Sequence, residues 1–171
     1  MTQQLSRDTK HGFAVLQAVV AEASLDDTVT AELRARALAE IDPQSVSVLA
    51  RVVVDFMCRM ALWTGAEWTS RTDSTGELVN LEDHTTAERV FTLRTLAAWS
   101  AGDRDTYDAL VAATLTGADP HQRAAFFGDL LRFLIDRTAQ LGRRADLPYT
   151  LTLQLTRSIR KEGLQMENWK S

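Results

Sequence analysis

"IDPQSVSVLARVVVDFMCRMALWTG", residues 41–65, decides the reading of this chain. After Asp42 its only charges are Arg51, Asp55 and Arg59, four residues apart in a run of Val, Leu, Met, Phe and Trp. A spacing of four places one residue per turn on a single face of a helix. Asp42 before Pro43 offers an N-cap acceptor and a proline suited to the first helical turn. The stretch therefore reads as a helix over 43–64, mostly apolar and bearing one thin charged line.

A second stretch, "ADPHQRAAFFGDLLRFLIDRTAQLG" (118–142), follows the same pattern. Asp42/Asp119, Pro43/Pro120, Phe56/Phe133 and Gly65/Gly142 share an offset of 77 (119 less 42), and ungapped extension upstream adds pairs such as Thr9/Thr86, Leu16/Leu93, Asp26/Asp103 and Leu38/Leu115. Helix signals fall at 9–23, 27–40, 43–64, 86–101, 104–116 and 120–141, three in each half. "TTAE" (85–88) reads as a capping box, and Gly102 before Asp103 reads as one helix end followed by the next cap. The expected fold is an all-α bundle, one domain over 1–171, built from two pseudo-symmetric three-helix halves at 8–65 and 85–142. A linker at 66–84 and a C-terminal segment at 143–171 complete it.

The linker is polar and β-branched, and the turn signal "DSTG" between Thr72 and "ELVNL" points to a short hairpin, with an irregular connection as the alternative. In "LPYTLTLQLTRSIRKEG" (147–163), Leu151, Leu153 and Leu155 alternate as in a strand. Leu147, Leu151, Leu155 and Ile159 also fall at helical spacing between Pro148 and Gly163. The punctuated ends favour a helix.

Opposite charges stand at equivalent positions of the two apolar helices: Asp55 corresponds to Arg132, and Arg59 to Asp136. If the helices cross about a pseudo-twofold axis, Asp55 is expected to meet Arg132, with Arg51 or Arg59 near Asp136, as a shielded network that fixes register. The competing reading is a solvated stripe of i,i+4 pairs, each contributing about 0.3–0.5 kcal/mol. A ligand-binding or catalytic role for these residues is the third.

Composition narrows the function classes. The net charge of −4 divides into −7 over residues 1–142 (13 basic, 20 acidic) and +3 over 143–171 (6 basic, 3 acidic). An acidic body is a poor platform for a phosphate backbone, although Arg143, Arg144, Arg157, Arg160, Lys161 and Lys170 give the end of the chain a basic character. One cysteine, Cys58, excludes an internal disulfide and fits a reducing compartment. No apolar run reaches the roughly 18 residues of a membrane span. Arginine outnumbers lysine 16 to 3, as in chains from GC-rich bacterial genomes.

Chemistry-bearing motifs are scarce. His11, His84 and His121 lack the spacing of metal ligands, and the gathering of Glu82, Asp83, His84 and Glu88 reads as a solvated acidic helix start. P-loop, dinucleotide and nucleophile-elbow patterns do not occur. No cofactor and no metal is expected. Trp63, Trp68 and Trp99 fall at element ends, where tryptophans plug a core edge or anchor a partner or ligand. The expected function is a bacterial cytoplasmic protein–protein interaction module without catalytic activity, whose partner is another protein or a second copy. The alternative is a small-molecule sensor or enzyme with a pocket between the halves, lined by Trp63, Trp68 and Trp99. A nucleic-acid-associated subunit using the basic C-terminal segment ranks third, and no membrane role is expected.

Overall fold

Asp-Pro pairs start the two central helices as the sequence expects. In a computed structural model, which describes residues 6–63, 75, 85–142 and 144–161, Asp42 accepts from the amides of Gln44 and Ser45 at 3.1 and 3.0 Å, with Pro43 in the first turn. Asp119 accepts from His121 and Gln122 at 2.9 and 3.0 Å in the same way. Each carboxylate satisfies two amides that have no partner within the helix.

The described residues form α-helices and no strand: α1 (Arg7–Ser24), α2 (Thr28–Ala39), α3 (Pro43–Arg59), α4 (Ala87–Ser100), α5 (Arg104–Val111), α6 (Pro120–Gln140) and α7 (Leu147–Lys161). A π-helical segment, Ala112–Thr116, continues α5. The helical reading of the C-terminal segment holds, because Leu147, Leu151, Leu155 and Ile159 bury one face of α7. The hairpin expected within 66–84 lies outside the described residues, as does Trp68.

Two corners share their hydrogen bonding. After α1, the amides of Asp26 and Asp27 donate to the carbonyls of Ala23 and Glu22 at 3.1 and 2.9 Å. After α4, Gly102 and Asp103 donate to Trp99 and Ala98 at 3.1 and 2.9 Å. This termination requires a positive φ, which Asp26 supplies at 65° and Gly102, without a Cβ, at 78°. Asp27 and Asp103 then cap α2 and α5 by accepting from Thr30 and Thr106.

These corners are 76 residues apart, whereas the caps Asp42 and Asp119 are 77 apart, so a single offset of 77 does not carry through both halves. The eight-residue α5 and five-residue π segment are together one residue longer than the 12-residue α2. The π segment is a widened helical turn.

α1 packs on α2 and α3, and α4 packs on α5 and α6. Across the middle, α2 lies against α6 and the π segment against α3, while α1 reaches α6, α4 reaches α3, and α3 meets α6. One core results, with Ala50, Val53, Val54 and Met57 of α3 and Phe127, Leu130, Leu131 and Leu134 of α6 fully buried along it. α7 covers α1 and α3, and Gln17 donates to Thr156 at 3.0 Å across that contact. Among the described residues no helix is long and apolar enough to cross a membrane.

Candidate functional site

Asp55 is 5% exposed and stands at the centre of the best-defined polar cluster. Arg59, one turn on, donates to its Oδ2 at 2.7 Å. On Oδ1 converge the indole Nε1 of Trp99 at 3.3 Å and the ammonium of Lys161 at 3.4 Å. The carboxylate thus links α3 to the end of α4 and the end of α7. Arg104 stacks on Trp99, 3.6 Å from the ring centroid, and donates to its carbonyl at 2.7 Å. Tyr107 meets the same ring edge-on at 4.9 Å. A cleft of about 490 Å³ opens here, lined by Asp55, Cys58, Arg59, Trp99, Ser100 and Lys161.

Cys58 in this cleft is not an activated nucleophile. Burial, with the negative charge of Asp55 adding to it, pushes the thiol up to about 11, against an opposing pull from Arg104. At neutral pH the thiolate, which is the reactive form, is nearly absent.

Arg132 takes no part in this cluster. Its guanidinium lies 3.5 Å from Glu32 of α2, and Asp136 is exposed. The expected Asp55–Arg132 pair therefore gives way to Asp55–Arg59–Lys161 on one side and Arg132–Glu32 on the other. The physical reason is the seam between α3 and α6. Apolar residues occupy it, and Asp55 and Arg132 flank it on opposite sides, toward α4 and α7 and toward α2 respectively. Arg51 is half-buried on α3. Trp63 is 4% exposed within the core and its Nε1 has no hydrogen-bond partner among the described residues, whereas Trp99 lies in the Asp55 cleft, whose lining does not include Trp63.

A second concavity, of about 650 Å³, runs between α2, the start of α4 and α6. Its floor is small, including Ala35, Ala39, Ala124, Ala125 and Gly128, and its rim carries Glu32, Glu40, Glu88 and Asp129 against Arg36 and Arg132. Asp129 is held by Arg89 at 3.1 Å and Thr92 at 2.7 Å, an arrangement that fastens α4 to α6. No group of His, Cys, Asp and Glu among the described residues is placed to hold a metal ion.

The remaining surface feature belongs to α2. Ala31, Ala35, Leu38 and Ala39 face the core, yet Val29 is 71% and Leu33 61% exposed on the other side of the helix. Leu25, in the corner before α2, is 56% exposed. Apolar residues at i and i+4 on the face opposite the core are legible in the sequence, and they mark α2 as apolar on two faces. Lys161 and Glu32 were not legible as partners of the charged line, since their contacts come from helices far away in the chain.

No protein-family model, curated protein or solved structure matches this chain.

Proposed function

We propose that this chain is a bacterial cytoplasmic interaction module without catalytic activity, built from a duplicated three-helix unit, and that it docks through the outward face of α2. The observation carrying this reading is the exposure of Val29 and Leu33, one turn apart, beside the exposed Leu25. Exposed apolar side chains are ordinary when scattered, but a row on one helix face is what a partner helix or groove covers. The neutral thiol of Cys58 speaks against nucleophilic chemistry at that residue.

The duplication is supported by the corners at 26–27 and 102–103, by the caps Asp42 and Asp119, and by helix contacts that map onto one another when α1–α3 are exchanged with α4–α6, apart from the packing of the π segment on α6, which α2 does not repeat on α3. It also sharpens the argument about α2. At an offset of 76, Leu25, Val29 and Leu33 correspond to Ala101, Asp105 and Ala109, all exposed. Such a fold does not need large apolar side chains at these places. A cytoplasmic setting rests on the lone cysteine and a bacterial source on the arginine excess.

The test is parallel affinity capture from the source cell with three baits: the wild type, Val29→Asp/Leu33→Asp, and Ala109→Asp. The reading expects a protein retained by the wild type and by Ala109→Asp and lost from the α2 variant. Equal capture by all three would overturn it. The cleft at Asp55 favours a second reading, a small-ligand sensor that holds an anion against Arg59, Lys161 and the Trp99 edge. A saturable shift of the Trp99 indole proton resonance on titration with small anions would favour it.

A further inference from the structure

We infer that the cleft at Asp55 binds a doubly charged anion, a phosphate monoester whose organic part lies against the wall formed by Trp99 and Cys58. This rests on the second reading above and gives that ligand its chemical class. Two cations share one carboxylate here, Arg59 on Oδ2 at 2.7 Å and Lys161 on Oδ1 at 3.4 Å. Arg104, stacked on Trp99 at 3.6 Å and near enough to Cys58 to act on the charge of its thiol, adds a third. Three positive charges therefore surround a single negative one, an excess of two, on a chain whose net charge is −4. A phosphate monoester supplies close to that charge near neutral pH, about −1.5 to −2.

Bond lengths at Asp55 separate the firmly held donor from the loosely held ones. Arg59 makes a short bond, and it neutralises the carboxylate. The Trp99 indole and the Lys161 ammonium reach Oδ1 at 3.3 and 3.4 Å, long for bonds whose ordinary length is about 2.9 Å, and longer still for a charged donor. Both are weakly engaged, and the Lys161 side chain is 61% exposed. An ammonium carries three N–H donors and a guanidinium five, so each cation keeps donors beyond the bond it makes to Asp55. A phosphate set between Lys161 and Arg59 accepts from these without displacing the short Arg59 bond. Asp55, buried, then serves as the anchor that keeps both cations at the mouth of the cleft. The volume of about 490 Å³ falls in the range of sites for small organic molecules, which suits an ester over the bare ion.

Phenyl phosphate and benzenesulfonate test the charge, since both place an anion on one benzene ring but only the first is doubly charged at about pH 7.5. The readout is the indole N–H resonance of Trp99 in the full chain, assigned with Trp99→Phe, at constant ionic strength. Phenyl phosphate is expected to shift it saturably with a Kd of about 1 mM or below, and benzenesulfonate to bind at least about tenfold more weakly. Lys161→Gln, an exposed change at the end of α7, should weaken phenyl phosphate about tenfold or more. Arg36→Gln, in the other concavity, should leave its affinity within about twofold. A shift that does not saturate by about 10 mM, or one that Lys161→Gln leaves unchanged, overturns the inference. If benzenesulfonate binds as tightly as phenyl phosphate, the dianion falls and the anion sensor stands. If neither binds saturably, both fall, and docking through α2 is untouched.

Discussion

α2 and α5 each follow a corner with the same hydrogen bonding and distribute their apolar side chains in opposite ways. α5 and its π extension turn Tyr107, Val111 and Leu115 inward and leave Asp105 and Ala109 outside. α2 turns mainly alanines inward, with Leu38, and leaves Val29 and Leu33 outside, next to the exposed Leu25 of the corner before it. Both corners use the same caps and helix terminations. The inner face is therefore what the bundle requires, with large residues on one side and small ones on the other. The outer face of α2 carries large apolar residues where that of α5 carries Asp105 and Ala109, which is the difference the proposed docking role draws on.

The largest effects belong to the core that the two halves share. Phe56 of α3 and Phe133 of α6 are 0% and 3% exposed, and the proposed duplication pairs them. Phe56→Ala and Phe133→Ala should each cost about 3–5 kcal/mol by urea denaturation. A large cost at one and almost none at the other would break the equivalence of the halves. Next come the charges beside the α3–α6 seam. Arg59→Met should cost about 1–3 kcal/mol after allowance for its partial exposure, because Asp55 is buried, and Arg132→Met only a few tenths. A double-mutant cycle should give measurable coupling for Asp55 with Arg59 and none for Asp55 with Arg132.

The caps come third. Asp42→Ala and Asp119→Ala should each cost about 1 kcal/mol. The hydrogen bond from the Ser45 hydroxyl, followed by that from the Ser45 amide, holds the Asp42 carboxyl below its ordinary value of 3.8. With a depressed folded value, the contribution is present above pH 3.8 and is lost as pH falls through the folded value, so wild type and Asp42→Ala should converge in acid. The smallest effect on stability is at Cys58, where the measurement is a rate. With its thiol at about 11 rather than 9.0, alkylation at pH 8 should be about a hundredfold slower than for a free cysteine. A rate equal to that of the free thiol would show the cleft more open than this structure has it.

Much of the helix plan was legible because its punctuation is local. Asp-Pro, Gly102 and the leucine spacing of α7 act within a turn or two of themselves. The π segment was not legible, since "AATLT" carries nothing that marks a π turn. The Asp55–Arg59 pair of the charged line was legible as an i,i+4 contact, but its distant partners were not. Helical spacing places Arg51, Asp55 and Arg59 on one face, but only the crossing of α3 and α6 decides which neighbours that face meets. Lys161 reaches Asp55 from 106 residues away in sequence, beyond any local pattern.

The central claim is that the outer face of α2 serves association and not folding, and it is tested most directly by giving α2 the outer residues of α5. In Val29→Asp/Leu33→Ala, urea unfolding at low micromolar concentration should return a stability within about 0.5 kcal/mol of wild type, the ordinary range for exposed positions. A loss of about 2 kcal/mol or more, the size of a buried side chain, would mean that this face is covered by the chain itself, and it would contradict the account.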